Sequence, residues 1–394
     1  MQNYFSCSVR ALLCGLAVVV AGLGAGTERG VAAEAAGAGE GKFLYAAVPG
    51  VRNELQYGGH GVLVFDIENG HRFVKRIAAA GLDEQGKPLN VKGVCACAAT
   101  RRLYVSTLRF LTCFDLVSDK ILWEKRYEGG CDRMAIGPDG KFIYLPSLER
   151  DHWHVVEGAT GEIIKTISVL SGSHNTIVGL DGAHAYLAGL RSPWLRVTDT
   201  KTHEIVREVG PFASVIRPFT VNGQGTLCFV NINALLGFEV GDLRTGKKLH
   251  RVEVEGFAKA PVKRHGCPSH GVGLTPDESE IWVTDAANKR LHVYDVRGMA
   301  AEPTRVPKLV ASIVTRDEPG WVTFSIDGRF AYPSTGEVID VATRKVVTQL
   351  TDEKGAAVQS EKVLEIDFAG GVPVRNGDQF GLGRVRGGGR VISD

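Results

Sequence analysis

Apolar and polar residues alternate in short runs along most of the chain. Each run ends at a Gly, Pro, Asp or Asn turn, which is the pattern of half-buried strands. The stretch from Cys267 to Val296 shows the unit most clearly. Gly271 to Leu274 reads as a short strand, and Thr275-Pro276-Asp277-Glu278 reads as a turn, because Pro presets φ and Asp bonds its own backbone. Ile281 to Thr284 reads as a second strand, Ala286 to Lys289 as a turn, and Leu291 to Asp295 as a third strand. No helical periodicity separates the strands, so a parallel α/β arrangement is excluded.

The unit recurs seven times. Its third strand closes at Val64-Phe65-Asp66, Cys113-Phe114-Asp115, Val155-Val156-Glu157, Val197-Thr198-Asp199, Phe238-Glu239-Val240, Val293-Tyr294-Asp295 and Val338-Ile339-Asp340. A more polar fourth strand follows, as in Lys120 to Arg126, Glu162 to Val169 and Lys248 to Val254. Four antiparallel strands recurring about every forty residues define a propeller blade. The fold class is therefore all-β, a seven-bladed β-propeller over residues 42–368. The first blade lacks an innermost strand, and Val363 to Ile366 is the expected donor, pairing with Phe43 to Ala47 and closing the ring from both chain ends. Residues 34–41 read as a flexible leader and the Gly- and Arg-rich residues 369–394 as a tail or lid.

The segments HGVGLTPDESEIWVTD and DGKFIYLPS resemble the YVTN-type repeats of bacterial exported seven-bladed propellers, over residues 42 to 368. The resemblance implies an extracytoplasmic protein and names no substrate, because propellers host enzymes, sensors and scaffolds alike. Residues 1–33 agree with export. Arg10 precedes an apolar core from Ala11 to Gly26, and Val31-Ala32-Ala33 offers a cleavage site. A periplasmic or extracellular monomer without a membrane span after signal removal is expected. The net charge of +2 gives no reason to expect a nucleic-acid partner.

Of the 8 cysteines, Cys7 and Cys14 belong to the signal, leaving Cys95, Cys97, Cys113, Cys131, Cys228 and Cys267. Most fall in apolar strands, where free thiols act as small hydrophobes. Cys131 and Cys267 belong to distant blades and are also expected to be free.

Counting back by one offset from the turn of each blade places Lys92, Asp132, His174, Arg217 and His270 at the entrance of successive innermost strands. Gly320, beside Trp321, takes this place in the last blade, and the closing strand brings Ser360 and Glu361. These residues should ring one mouth of the central channel. Asp132, His174 and His270 are metal-ligand types. Lys92 and Arg217 alternate with them, however, so no metal and no cofactor is expected.

An anion suits the ring better, with Arg217 as a bidentate fork and Lys92 as a point charge. Neighbouring cations should keep His174 and His270 neutral, able to act as bases if the protein is an enzyme. The reading that follows is an exported propeller binding a carboxylate-bearing small molecule, glycan or peptide at Lys92, Asp132, His174, Arg217, His270, Trp321 and Glu361. The alternatives are a uronate lyase or lactone hydrolase at the same site, or a scaffold meeting protein partners on its blade rims. Asn231, Asn233 and Asp285 are further candidates for the mouth, and Arg109, Arg150 and Arg191 for its rim. His152 and His154 read as exposed sheet surface.

Overall fold

The computed structural model describes residues 40–79, 81–386 and 390–391. The expected signal 1–33 lies outside the described residues, as do most of the leader and the last residues of the tail. Among the described residues the regular elements are all strands, in six four-stranded antiparallel sheets, one five-stranded sheet and one two-stranded pair. No helix of the described residues is long and apolar enough to cross a membrane.

The six four-stranded sheets are blades two to seven. Their innermost strands are Val91–Cys97, Ala135–Ile136, Ser173–Val178, Ile216–Val221, Val272–Leu274 and Val322–Phe324. Each contacts the innermost strand of the next blade. The stretch first singled out by its pattern folds as read: Val272–Leu274 pairs with Glu280–Asp285, which pairs with Arg290–Asp295.

Burial shows why the blades form a ring. The buried apolar side chains fall into seven clusters, each spanning the seam between two adjacent blades. A blade therefore buries both faces only when it has two neighbours, and closure is the arrangement that leaves no face bare. Seams also carry polar links. Tyr104 of blade two donates to the Gly158 carbonyl of blade three at 3.0 Å, and Trp153 of blade three donates to Thr176 of blade four at 2.8 Å.

Closure is made by both chain ends. Val363–Ala369 pairs antiparallel with Gly41–Val48, setting Ile366 opposite Phe43 and Leu364 opposite Tyr45. Gly61–Asp66 and Arg72–Ile77 complete blade one. Blade one departs from the expected four strands. Gly370 and Gly371, at φ 57° and 77°, reverse the chain, and Val372–Asn376 adds a fifth strand to the inner edge.

The chain then crosses the channel on the side of the first-to-second-strand turns. The Gln379 side chain accepts from the Val94 amide at 3.2 Å and donates to the Met134 carbonyl at 3.2 Å, while Trp321 donates to the Gln379 carbonyl. Gly383 and Arg384 bond Val221 and Pro276 of blades five and six. Phe380 and Leu382 join the cluster between blades four and five. Residues 377–386 thus cross this end of the channel and back the layer that contains Trp321, leaving a cavity of about 270 Å³ between the tail and blades two to four.

All six described cysteines are free and buried. Burial pushes Cys113, Cys228 and Cys267 up to about 12, so they stay protonated thiols.

Candidate functional site

At the opposite end of the channel, Lys92, His174, Arg217, His270 and Glu361 line one mouth together with Arg52, Arg133, Glu149, His265 and Lys362. The sequence register therefore gathers five of its side chains around a single opening. Asp132 and Trp321 lie beneath rather than on it, both buried. The mouth offers about 90 Å³ of space to water. Since one water needs roughly 10–15 Å³ on that measure, several waters or a small anion fit.

Two buried charge networks form the floor. In the first, the Asp132 carboxylate accepts from His174 Nδ1 at 2.6 Å and faces Lys92 Nζ at 3.4 Å. Burial pushes Asp132 up, but His174 and Lys92 outweigh it and hold its carboxyl at about 2. Because Asp132 fixes the proton on Nδ1, His174 Nε2 is an acceptor, and Arg133 donates to it at 3.3 Å. Both ring nitrogens of His174 are thus engaged.

In the second network, Glu361 Oε2 accepts from Arg133 and, at 2.7 Å, from Lys362. Lys362 also donates to the Gly50 carbonyl at 2.8 Å, and the Arg133 guanidinium lies over the Trp321 ring at 4.5 Å. Burial raises Glu361, yet Lys362, His265 and Arg133 hold it well below the usual carboxylate range. Burial, with Arg133 nearby, brings Lys362 down to about 7.

The two networks meet at Arg133, which touches His174 on one side and Glu361 on the other. Its Nε is buried without a partner. Such a group is tolerated where surrounding contacts hold it in place.

His265 and His270 stack beside Glu361 with ring centroids 4.4 Å apart. His270 Nδ1 donates to the Gly320 carbonyl at 3.0 Å, which leaves its Nε2 an unprotonated acceptor without a partner among the described residues. His265 Nε2 stands 3.4 Å from Glu361 Oε1. Burial lowers both rings, His265 to about 4 and His270 well below its ordinary value, so both are neutral. Neutral histidines were expected from neighbouring cations, but desolvation is the larger cause.

Arg217 completes the mouth. Its Nε donates to Asn233 Oδ1 at 2.5 Å, and its terminal nitrogens make no hydrogen bond among the described residues. Asn233 thus orients the fork. Asn231 bonds the Gly237 carbonyl, and Asp285 bonds His292 and Asn288, so neither joins the mouth. Arg191 pairs with Asp151 at 2.5 Å and Arg109 with Glu84 at 3.7 Å, away from the opening. His154 corrects an expectation: it is buried, bonded to Thr166 at 3.0 Å, with the Tyr127 ring packed 6.1 Å from it.

Sequence reasoning missed Arg133, Lys362, His265 and Arg52. Arg133 and Lys362 directly follow Asp132 and Glu361, and strict alternation would turn them away. The regular strand of blade three begins only at Ala135, so alternation does not govern residues 132 and 133. His265 lies in a long loop outside the repeat register, where no offset could place it.

Fold and site together define a seven-bladed β-propeller with a charged, histidine-bearing mouth, stoppered from behind by its own tail. No protein-family model and no curated protein matches the chain by sequence. Among solved structures it is similar to the dihydro-heme d1 dehydrogenase NirN in complex with DHE, with a TM-score of 0.57 at 13% identity over 85% of this chain and 72% of that one. The hydrazine synthase of Kuenenia stuttgartiensis gives a TM-score of 0.42 at 16% identity over 65% of this chain and 94% of that one. At these identities the likeness concerns the fold alone.

Proposed function

We propose that this is an exported YVTN-type propeller that binds a carboxylate-bearing small molecule at the channel mouth. One observation carries the reading: the mouth is lined by Arg52, Lys92, Arg133, Arg217 and Lys362 against Glu149 and Glu361 only, with Asp132 beneath. The carboxylates of Asp132 and Glu361 are already answered by His174, Lys92, Arg133 and Lys362. The Arg217 fork therefore faces the opening with its bidentate edge uncommitted, which suits a carboxylate.

The volume narrows the class. Drug-sized ligands occupy clefts of roughly 300–1,000 Å³. With about 90 Å³ available, the mouth takes a small mono- or dicarboxylate whole, or the acidic end of a glycan or peptide. It does not bury a macrocycle of the kind named for NirN.

The test is a thermal-shift series with malonate, galacturonate and phosphate on wild type and Arg217→Ala. A carboxylate at about one hundred times its dissociation constant stabilises the fold by roughly 2.7 kcal/mol. The reading requires that shift in wild type and its loss in Arg217→Ala. A flat wild-type response, or an equal shift in the variant, overturns it.

A further inference from the structure

We propose that His265, His270 and Glu361 bind one divalent cation of the zinc class, with a coordination position open to the mouth. One donor atom from each residue lies within 4.8 Å of the other two, and all three side chains are buried. Two nitrogens and one carboxylate oxygen form a donor set suited to zinc, and three protein ligands with an open fourth position are the pattern of a reactive rather than a structural site. The inference goes beyond the anion reading and does not require it.

Three features prepare the donors. His270 gives its Nδ1 proton to the Gly320 carbonyl, the outer hydrogen bond that orients a ligating imidazole and leaves Nε2 to the metal. Glu361 has Oε2 fixed by Arg133 and Lys362, which leaves Oε1 as the free lone-pair donor beside His265 Nε2. Gly320 keeps the space between them open: a β-carbon there would stand 2.1 Å from His265 Nε2 and 2.7 Å from Glu361 Oε1. Ligands of a tetrahedral zinc at about 2.0–2.2 Å lie roughly 3.3–3.6 Å apart, so small side-chain rotations of about 1 Å bring the three into contact.

The argument against a cation at Asp132, His174 and His270 rested on Lys92 and Arg217, and it does not transfer to this trio, because Asn233 holds the Arg217 Nε. Lys92 is turned onto Asp132, and Arg133 onto Glu361 Oε2 and His174. An anion held by Arg217 then faces the open coordination position.

The experiment is equilibrium dialysis of chelator-stripped full-length protein against Zn²⁺, followed by metal analysis, with circular dichroism to confirm folding. Wild type should retain about one zinc per chain. His270→Ala and Gly320→Ala should each bind at least roughly tenfold more weakly, the second by filling the space between ligands that are all still present. Arg217→Ala should retain zinc at wild-type stoichiometry while losing the carboxylate shift, which separates failure of this site from failure of the anion reading. If His270→Ala does not fold, Gly320→Ala and the visible spectrum of Co²⁺-loaded wild type decide. Wild type that retains no zinc, a Co²⁺ spectrum identical to the free aqueous ion, or undiminished binding in Gly320→Ala overturns the proposal.

Discussion

Acidification should weaken the ring at its closing seam, and His71 supplies a single group on which to measure this. His71 lies in blade one, buried against blade seven, with its ring edge-on to Phe330 at 4.8 Å and its Nε2 bonded to the Tyr332 hydroxyl at 3.0 Å. Burial, with Arg329 nearby, lowers the imidazole from its ordinary 6.5 to about 4. Between those two values the unfolded chain binds a proton that the folded chain refuses. Stability is therefore full above about pH 6.5 and falls as the pH drops toward 4.

From about pH 7.5 to about pH 5, the shift predicts a loss of roughly 2 kcal/mol from this group, an upper value for a partly screened site. The control is His71→Asn, which does not titrate and tolerates the φ of 59° found here. Guanidinium unfolding followed by tryptophan fluorescence at the two pH values gives each protein its acid loss. Other histidines contribute to both losses and cancel in the comparison. The reasoning is refuted if His71→Asn loses as much stability as wild type, within about 0.5 kcal/mol.

Three further outcomes follow from the same structure. Glu361→Gln leaves Arg133 and Lys362 without their shared carboxylate and should cost about 3–5 kcal/mol in denaturant unfolding, since removing one partner strands buried charge. Phe380→Ala should cost a similar 3–5 kcal/mol, because the ring is buried in the cluster between blades four and five, 5.8 Å from Trp321; a loss below about 1 kcal/mol would show that the tail does not stopper the channel in solution. The six described cysteines should resist a thiol-specific chromogenic reagent in native protein and react fully in guanidinium, given their burial.

The fold was legible because a propeller writes its topology locally. Pro276-Asp277 and Asp139-Gly140 mark hairpins within a few residues of the strands they join, so blade number and order follow from short-range signals. Closure was legible for a negative reason, since Phe43 to Ala47 had no strand before it to pair with. The fifth strand and the stopper were not legible. Phe380 and Leu382 are isolated apolar residues in a Gly- and Arg-rich stretch, and their partners lie on blades four, five and seven, far along the chain. The ring of entrance residues followed from the repeat register, which is why Lys92, His174, Arg217 and His270 were found together. His265 and Lys362 came from a loop and from the position just before the closing strand, where that register ends.

Closure by Val363–Ala369 on Gly41–Val48 also fixes a time order. Gly41–Val48 waits for Val363–Ala369, keeping an open edge while the blades between them are being made. Joining ends about 315 residues apart would cost roughly 5 kcal/mol in chain entropy if the intervening chain were random. The blades folded in between remove most of that penalty by carrying the two ends toward each other. A chain lacking the closing segment lacks half of the mouth's floor, because Glu361 and Lys362 arrive with that segment itself. The network of Glu361 and Lys362 thus waits for the closing segment, whereas Lys92, Asp132 and His174 are supplied by blades two to four.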